Sequence, residues 1–186
     1  TGLRRGEICG LKWCDLDETN GTLKICRSIH SAPGGALEVG NPKTEKGTRT
    51  ILLPPSTLHV LKERRKTALT EWIFPSLMEP EKPTAPSAAY HRLKVILKGA
   101  DLPNIRFHDL RHTFATHAMR SGVDAKTLSG ILGHTNASFT LDTYTHVTTD
   151  MQKNASVIVG DFMKELFGKE LKPWERSESP EKERSD

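Results

Sequence analysis

The spacing of apolar residues changes along the chain from an alternating pattern to a helical one. After a stretch from Arg4 to Trp13 whose spacing predicts a short helix, apolar and polar residues alternate from Thr22 to Ile29. Alternation over this length is typical of a half-buried β-strand. Two more strand-like stretches follow, Leu37–Val39 and Arg49–Leu53. We therefore predict a small three-stranded antiparallel sheet near the N-terminal third of the chain.

Beyond the third predicted strand, apolar residues recur at helical spacing, beginning with Leu58, Leu61 and Leu69. Asp124 stands where a helix N-cap is expected, and Gly133 stands where the same helix should stop. The fold class is therefore predicted as α+β and mainly α-helical. The other predicted helices are Ser87–Lys98, His108–Arg120 with Leu110, Phe114 and Ala118 as its buried stripe, Ser138–His146 and Ala155–Phe167.

The length of 186 residues fits a single domain. We predict that residues 1–168 form this domain and that the charged stretch 169–186, which also contains Pro and Ser, is a disordered tail. The first motif begins at Thr1 with no Met before it. We therefore expect the chain to be an N-terminally truncated piece of a longer protein.

The composition argues against several classes of protein. A net charge of +4 favours an anionic partner only weakly. The three cysteines have no paired spacing, which indicates reduced thiols in a cytoplasmic protein and not a disulfide framework. The sequence has neither a signal peptide nor an apolar run of about 18 residues, so we expect no membrane association.

The segment from His108 to His112 is the first candidate for chemistry. On a helix, His108, Arg111 and His112 share one face, and such a cluster of cationic groups is best stabilised by an anion such as phosphate. A solvated helix face is the alternative explanation. The five residues also nearly match the zinc-binding pattern His-Glu-x-x-His, but Arg111 would repel a metal ion held there. We therefore predict no metal site.

Two further candidates lie towards the C-terminus. His134 follows the expected helix stop, where a histidine usually caps a helix or lies at the surface. Tyr144 comes next, at a position where an aromatic residue is commonly part of a core. The stretch from Asp124 to Tyr144 also fits a helix-turn-helix DNA-binding motif. Its second half, from Ser138 onward, contains no Arg, Lys, Gln or Asn to read bases, which weakens that alternative.

Four stretches of the sequence stand in an order and at intervals that match one family. They are Thr1–Ile8, Pro42–Thr44 with Gly47–Pro54, His108–Thr116, and Leu132–His134 with Thr143–Val147. They resemble the first box, the β-hairpin lysine segment, the second box and the third box of the tyrosine recombinases of phages and conjugative transposons. The resemblance covers residues 1 to about 167. The resemblance also leads us to expect a helix before the first box and a separate DNA-clamping domain, neither of which the 186 residues include.

The resemblance implies DNA strand transfer through a 3′-phosphotyrosine made by Tyr144. Arg4 and Arg111 would hold the phosphate of the DNA backbone. No metal or other cofactor is implied. The remaining roles are that His108 accepts or positions the phenol proton, Lys43 protonates the departing 5′-oxygen, His134 donates a hydrogen bond to the phosphate, Glu7 orients its neighbours, and Lys46, Arg49 and His112 contact DNA.

The resemblance also implies partners and a setting. The partners are double-stranded DNA recombination sites, accessory DNA-bending proteins and further copies of the chain. A homo-tetramer on DNA would be joined through the helix at 155–167, with packing of that helix on its own core as the alternative. The setting is the bacterial cytoplasm and nucleoid, where the enzyme would integrate and excise a mobile element. A type IB topoisomerase and a catalytically silent DNA-binding regulator are the alternative functions.

Overall fold

The computed structural model describes residues 1–41, 47–134 and 149–167. The chain divides into two compact units, residues 1–145 and residues 146–186. Several features predicted from the sequence lie outside the described residues. They are the loop residues Lys43 and Lys46, the helix Ser138–His146, the nucleophile Tyr144 and the tail 169–186.

Helices predominate among the described residues, and this confirms the predicted α+β, mainly α-helical fold class. The strands are β1 (Leu16–Asp17), β2 (Thr22–Ile25), β3 (Ser28–Ser31), β4 (Leu37–Gly40) and β5 (Arg49–Leu52). The helices are α1 (Arg5–Cys9), α2 (Pro55–Arg65), α3 (Pro86–Gly99), α4 (Phe107–Arg120), α5 (Ala125–Leu132) and α6 (Thr149–Phe167). A short 3-10 helix, Trp13–Asp15, leads into β1.

The strands form two small antiparallel sheets. One sheet has three strands in the order β1-β2-β5, and Leu23 lies opposite Ile51 in it. Strands β3 and β4 form a separate pair in which Ile29 lies opposite Val39. A three-stranded antiparallel sheet is therefore present as predicted. Its membership differs, because β1 takes the place of the strand around Leu37.

The prediction of one continuous strand from Thr22 to Ile29 is wrong, because the chain leaves the sheet after Ile25. Arg27 donates hydrogen bonds to the carbonyl oxygen of Gly10 at 3.2 Å and to the buried carboxylate of Asp15 at 2.5 Å. These bonds draw the backbone out of the ladder and into the second sheet. Leu23, Ile25 and Ile29 are all buried, which is why the pattern suggested a single strand. The alternation of burial itself stops at the break, since Ser28 and Ile29 are buried side by side.

The larger core lies between the three-stranded sheet and α2. The predicted helix from Arg4 to Trp13 already ends at Cys9, and the backbone N–H of Trp13 bonds instead to the carbonyl of Glu71 at 2.9 Å. Leu69, which was expected to continue the helical stripe, is 96% exposed beyond the end of α2. The buried residues of this core are Leu3, Leu11, Trp13, Leu16, Leu23, Ile25, Ile51, Leu53, Leu61 and Ile73.

Helices α4 and α5 pack around a smaller core. The predicted stripe of α4 is right in part, since Phe114 and Ala118 pack partly buried against this core whereas Leu110 is 40% exposed. The fully buried residues of the helix lie one position further on, at Arg111, Ala115 and Met119. A charged side chain is stable in such a place only when its N–H groups are hydrogen-bonded. The buried residues of this core are Ala115, Met119, Leu128 and Leu132.

Both ends of α5 follow the sequence prediction. The carboxylate of Asp124 accepts hydrogen bonds from the backbone N–H groups of Lys126 at 3.0 Å and Thr127 at 2.9 Å. Gly133 follows the last helical residue with φ +67° and ψ +46°, the left-handed conformation that ends many helices. This turn determines where the backbone carbonyl groups at the end of α5 point.

Helix α6 belongs to the second unit of the chain. It starts at Thr149, before the predicted start at Ala155, and ends at Phe167 as predicted. Its apolar side chains Val157, Ile158 and Phe162 are each more than half exposed. None of the helices in the described ranges is both long and apolar enough to cross a membrane.

Candidate active site

Arginines from three other elements meet at the end of α5. The last carbonyl groups of a helix have no partner within it and carry the negative end of its dipole, so they attract cationic donors. Here three consecutive carbonyl groups bind three different arginines, and residues 131–134 are named the arginine turn for this reason. Ile131 O accepts from Arg49 Nε at 2.7 Å, Leu132 O from Arg111 Nη2 at 2.8 Å, and Gly133 O from Arg4 Nη2 at 3.2 Å.

Arg111 is the most buried arginine of the site, with 4% of its surface exposed. Its Nη1 atom donates to the carbonyl oxygen of Gly2 at 2.7 Å, while Nη2 binds the arginine turn. The planar fork of a guanidinium suits such a double contact. The side chain therefore holds α4 against both the N-terminal segment and the end of α5.

Arg4 immediately precedes α1 and is far more accessible, with 42% of its side chain exposed. Its backbone N–H donates to Glu7 Oε2 at 2.9 Å, and its Nη1 donates to Glu7 Oε1 at 2.9 Å. A carboxylate on the third residue of a helix often accepts the backbone N–H that precedes the helix. The spacing of Arg4 and Glu7 in the first motif therefore fixes both the start of α1 and the direction of Arg4.

Glu7 is a buried carboxylate held by two arginines, with 1% of its surface exposed. Arg49 donates from Nη1 to Oε1 at 3.1 Å and from Nη2 to Oε2 at 3.0 Å. Burial alone would raise the pKa of Glu7, but the hydrogen bonds from Arg49 and Arg4 outweigh it and lower that pKa. Glu7 is therefore ionised at neutral pH, and its charge offsets part of the positive charge of the arginines.

His134 ends the arginine turn and is half-buried. Its backbone N–H donates to Ser129 O at 3.1 Å, which keeps the residue next to the helix end. Burial, followed by the positive charges of Arg111, Arg4 and Arg49 and the imidazole of His108, lowers the pKa of His134 to about 4. The imidazole is therefore neutral near pH 7, with one nitrogen donating and the other accepting.

An open pocket of about 440 Å³ lies beside the arginine turn. Arg4 and Arg111 line it together with His108, so three of the predicted catalytic residues share one cavity. A pocket lined by this many cationic groups suits a phosphate-bearing ligand. The other lining residues are Leu3, Arg5, Tyr90, Arg106 and Phe107.

Two of these additional residues are arginines that the sequence analysis did not select. Arg5 stands with its guanidinium carbon 6.0 Å from the centre of the Tyr90 ring. Arg106 forms an ion pair with Asp109 at 2.8 Å, and its hydrogen bond lowers the pKa of that carboxyl to about 2. Arg5 lies next to Arg4 within the first motif, and Arg106 lies two residues before His108, so nearness to these two residues was a usable signal.

The structure thus brings Arg4, His108 and Arg111 to one pocket. Glu7 is hydrogen-bonded to Arg4, and the positive charges of Arg111 and Arg4 act on His134. His112 is exposed on α4 and is not among the residues that line this pocket. Arg49 was expected to contact DNA, but its side chain is only 8% exposed and is hydrogen-bonded within the protein.

The described part of the chain contains no group of three or more His, Cys, Asp or Glu side chains that could hold a metal ion. Within the second motif, His108 and Arg111 both line the pocket. A metal held by His108 and His112 would therefore lie close to a guanidinium, whose charge disfavours a second cation.

Residues 1–151 match the model of the phage integrase family. The match covers most of the chain and includes every predicted site residue. The chain belongs to the phage integrase family of tyrosine recombinases. Membership agrees with the four motifs, and the residues that carry them include those that meet at the arginine turn.

Two curated members of the family illustrate the similarity. A "Tyrosine recombinase XerC-like" protein of Caldanaerobacter subterraneus subsp. tengcongensis is 35% identical over 183 residues, which cover 87% of this chain and 46% of that protein. The "ICEBs1 integrase" of Bacillus subtilis is 29% identical over 174 residues, which cover 88% of this chain and 46% of the relative. The chain therefore spans about half the length of the curated relatives it matches.

The fold is also found in solved structures of family members. The Tn1549 transposon integrase in complex with circular intermediate DNA superposes with a TM-score of 0.73 at 25% identity. The superposition covers 86% of this chain and 56% of that integrase.

Proposed function

We propose that this chain is the catalytic domain of a site-specific DNA recombinase that cleaves and rejoins strands through a 3′-phosphotyrosine at Tyr144. The observation that supports this most is the convergence of Arg4 and Arg111. One precedes α1 and the other lies on α4, and they bind adjacent carbonyl oxygens and line one pocket. The Tn1549 integrase was solved with DNA, and several relatives are named integrases, which supports DNA recombination sites as the substrate.

The proposed role of the two arginines is to hold the non-bridging oxygens of one phosphate. Charge builds up on these oxygens when a nucleophile attacks phosphorus, and donors already in position stabilise it most effectively. A guanidinium remains protonated at any working pH. A neutral His134 would add one further hydrogen bond to the same phosphate, and Glu7 would fix the direction of Arg4.

The remaining roles concern proton transfer. The Tyr144 hydroxyl oxygen would attack phosphorus while His108 accepts or positions its proton, because a free phenol has a pKa of about 10. The bond from phosphorus to the 5′-oxygen breaks, and Lys43 would give that oxygen a proton. A second 5′-hydroxyl then attacks the phosphotyrosine and releases Tyr144. The bond energy stays in the covalent intermediate, so this scheme uses neither ATP nor a metal ion.

Basic residues around the pocket would hold the flanking DNA backbone. Arg5 and Arg106 line the pocket that also contains the two phosphate-binding arginines, which supports contacts to neighbouring phosphates. Lys46 and His112 are proposed to contribute further contacts of this kind.

We further propose that the enzyme works as a homo-tetramer on DNA, with accessory DNA-bending proteins, in the bacterial nucleoid. The exposed apolar side chains of α6, Val157, Ile158 and Phe162, support docking of this helix on another copy. The product would be the integration or excision of a mobile element. Exchange of DNA arms between two site-bearing molecules distinguishes this product from simple relaxation of supercoils.

The test is covalent capture with the protein that carries this chain. It is incubated with a pool of nicked duplexes of randomised sequence, in which cleavage releases a short fragment and traps the phosphotyrosine. Adducts are isolated under denaturing conditions, and the modified residue is identified by mass spectrometry. We expect the DNA to be attached at Tyr144.

Tyr90 provides the matched control, because it is the other tyrosine of the chain and lines the pocket. Tyr144→Phe removes one oxygen atom and should abolish the adduct, whereas Tyr90→Phe should retain it. Persistence of the adduct in Tyr144→Phe would show that the nucleophile is wrongly assigned.

A further inference from the structure

All three nitrogen atoms of the Arg49 guanidinium donate hydrogen bonds within the protein. Its Nε donates to Ile131 O at 2.7 Å, and its Nη1 donates to Gly47 O at 3.0 Å. Nη1 and Nη2 also grip the two carboxylate oxygens of Glu7 at 3.1 and 3.0 Å. One side chain of β5 therefore connects α1, the end of α5 and Gly47.

The position of Arg49 leaves little room for a DNA contact. Only 8% of its side chain is exposed, and its partner Glu7 is 2% exposed. Gly133 covers it so closely that a Cβ atom added there would lie 2.6 Å from Arg49 Nη1. A phosphate would have to displace both the arginine turn and a buried carboxylate to reach this guanidinium.

Arg49 also affects how strongly the negative charge of Glu7 attracts Arg4. Glu7 Oε1 is shared by Arg4 Nη1 at 2.9 Å and Arg49 Nη1 at 3.1 Å. Two guanidinium groups on one carboxylate leave a net positive charge. If Arg49 were removed, the buried carboxylate would have Arg4 alone to neutralise it, and the two opposite charges would draw together.

We propose that Arg49 is a positioning residue that compensates Glu7, so that Arg4 keeps its place and its charge at the phosphate pocket. Its bond to Ile131 holds the arginine turn at the same time. This inference rests on the proposed function and replaces the direct DNA contact predicted from the sequence. Arg49 acts on the reaction only through Glu7, Arg4 and the turn.

The first test compares Arg49→Met and Arg49→Lys with the parent in the protein that carries the chain. We expect cleavage of a captured nicked duplex at saturating DNA to slow by about tenfold to a hundredfold, because a small displacement of a catalytic group has an effect of this size. DNA affinity and its dependence on salt should stay unchanged. Loss of affinity with a salt slope smaller by about one would instead reveal a direct phosphate contact and overturn the proposal.

The second test separates positioning from general stability. Glu7→Gln combined with Arg49→Met removes the carboxylate that needs compensation, so the double variant should cleave several times faster than Arg49→Met alone. If Arg49 had a purely structural role, the losses of cleavage rate from the two substitutions would add, and the double variant would be slower than Arg49→Met. A double variant as slow as Arg49→Met, or slower, overturns the proposal.

A core variant of the same strand controls for lost stability. Ile51 lies on β5 and is buried in the larger core, and its apolar side chain makes no hydrogen bond to the arginine turn. At a temperature where both variants are folded, Ile51→Ala should cleave like the parent, and equal slowing in Ile51→Ala and Arg49→Met overturns the proposal. If the parent itself forms no adduct, the proposed function is wrong, and this inference is wrong with it because it rests on that function. If the parent is active and Arg49→Met cleaves DNA equally fast, only this inference is contradicted.

Discussion

Arg111 on α4 donates a hydrogen bond to the carbonyl oxygen of Leu132, the last residue of α5, over 2.8 Å. The same guanidinium reaches Gly2 O at 2.7 Å. A residue assigned to phosphate binding is therefore also a structural link between three segments of the chain. Changes at this position should affect stability and chemistry together.

We expect Arg111→Lys to lower the free energy of unfolding by about 1–3 kcal/mol, since an ammonium cannot serve both buried carbonyls. The cleavage rate should fall by about 10²–10³-fold through loss of a preorganised donor. Urea unfolding and single-turnover cleavage measure the two effects. Arg120→Lys, the same change at the exposed end of α4, is the control, and similar losses in both variants would contradict the assignment.

Gly133 offers a test of the arginine turn itself. It has φ +67°, and a Cβ atom there would meet Arg49 Nη1 at 2.6 Å. Gly133→Ala should therefore cost about 1–2 kcal/mol from the backbone conformation alone, with a further cost from the clash. Cleavage should slow because Arg4 and Arg49 both bind near this residue.

Gly130→Ala is the matched comparison for Gly133→Ala, because Gly130 is in α5 and a Cβ atom there meets no atom within 4 Å. That change should stabilise the protein by about 0.5–1 kcal/mol through the helix preference of Ala. Thermal unfolding of both variants checks the contrast. Equal effects of the two substitutions would show that the turn is not tightly packed.

The pKa of His134 predicts how stability depends on pH. Burial and the neighbouring arginines lower that pKa from 6.5 to about 4, so the unfolded chain binds the proton more readily. The contribution of His134 is therefore fully present above pH 6.5 and is lost as the pH falls towards 4.

We expect the free energy of unfolding of His134→Asn to depend less on pH between 4 and 6.5 than that of the parent. His117→Asn, on an exposed part of α4, should follow the parent curve. Urea unfolding across this range provides the measurement. A parent curve that does not fall below pH 6.5 more steeply than that of His134→Asn would contradict the lowered pKa.

The outer arginines of the pocket should be visible in the salt dependence of DNA binding. Arg5→Ala should reduce the slope of log affinity against log salt by about one, the value for a single phosphate contact. Arg106→Ala should reduce it less, because Asp109 already compensates Arg106. Lys66→Ala, a basic residue of the surface paired with Glu63, should leave the slope unchanged. Equal slopes for Arg5→Ala and Lys66→Ala would remove Arg5 from the interface.

Much of the fold could be predicted from the sequence because local rules decide it. Asp124 and Gly133 define α5 through capping chemistry, and the alternation of apolar and polar residues predicted the face of Leu23 and Ile25, which are core residues. The break after Ile25 could not be predicted, since it depends on the bonds of Arg27 with residues distant in the sequence.

The site residues could be predicted where the residue type itself indicates the chemistry. Arg4, His108 and Arg111 were selected by motif and do line one pocket. Arg49 was predicted as a DNA contact from its residue type, and its burial and its ion pair with Glu7 could not be seen in the sequence. The shift of the fully buried positions of α4 has the same cause, as Arg111 occupies a position that the apolar pattern assigns to the exterior.

The arginine turn offers its arginines peptide oxygens rather than side chains. Any residue supplies such an oxygen, so replacing Leu132 by another aliphatic residue would leave the bond from Arg111 intact. Correlated substitutions between homologues should therefore be weak for this pair and for Arg49 with Ile131, although each is a direct contact. A contact map inferred from co-variation would therefore omit the contacts that hold the arginines to the turn.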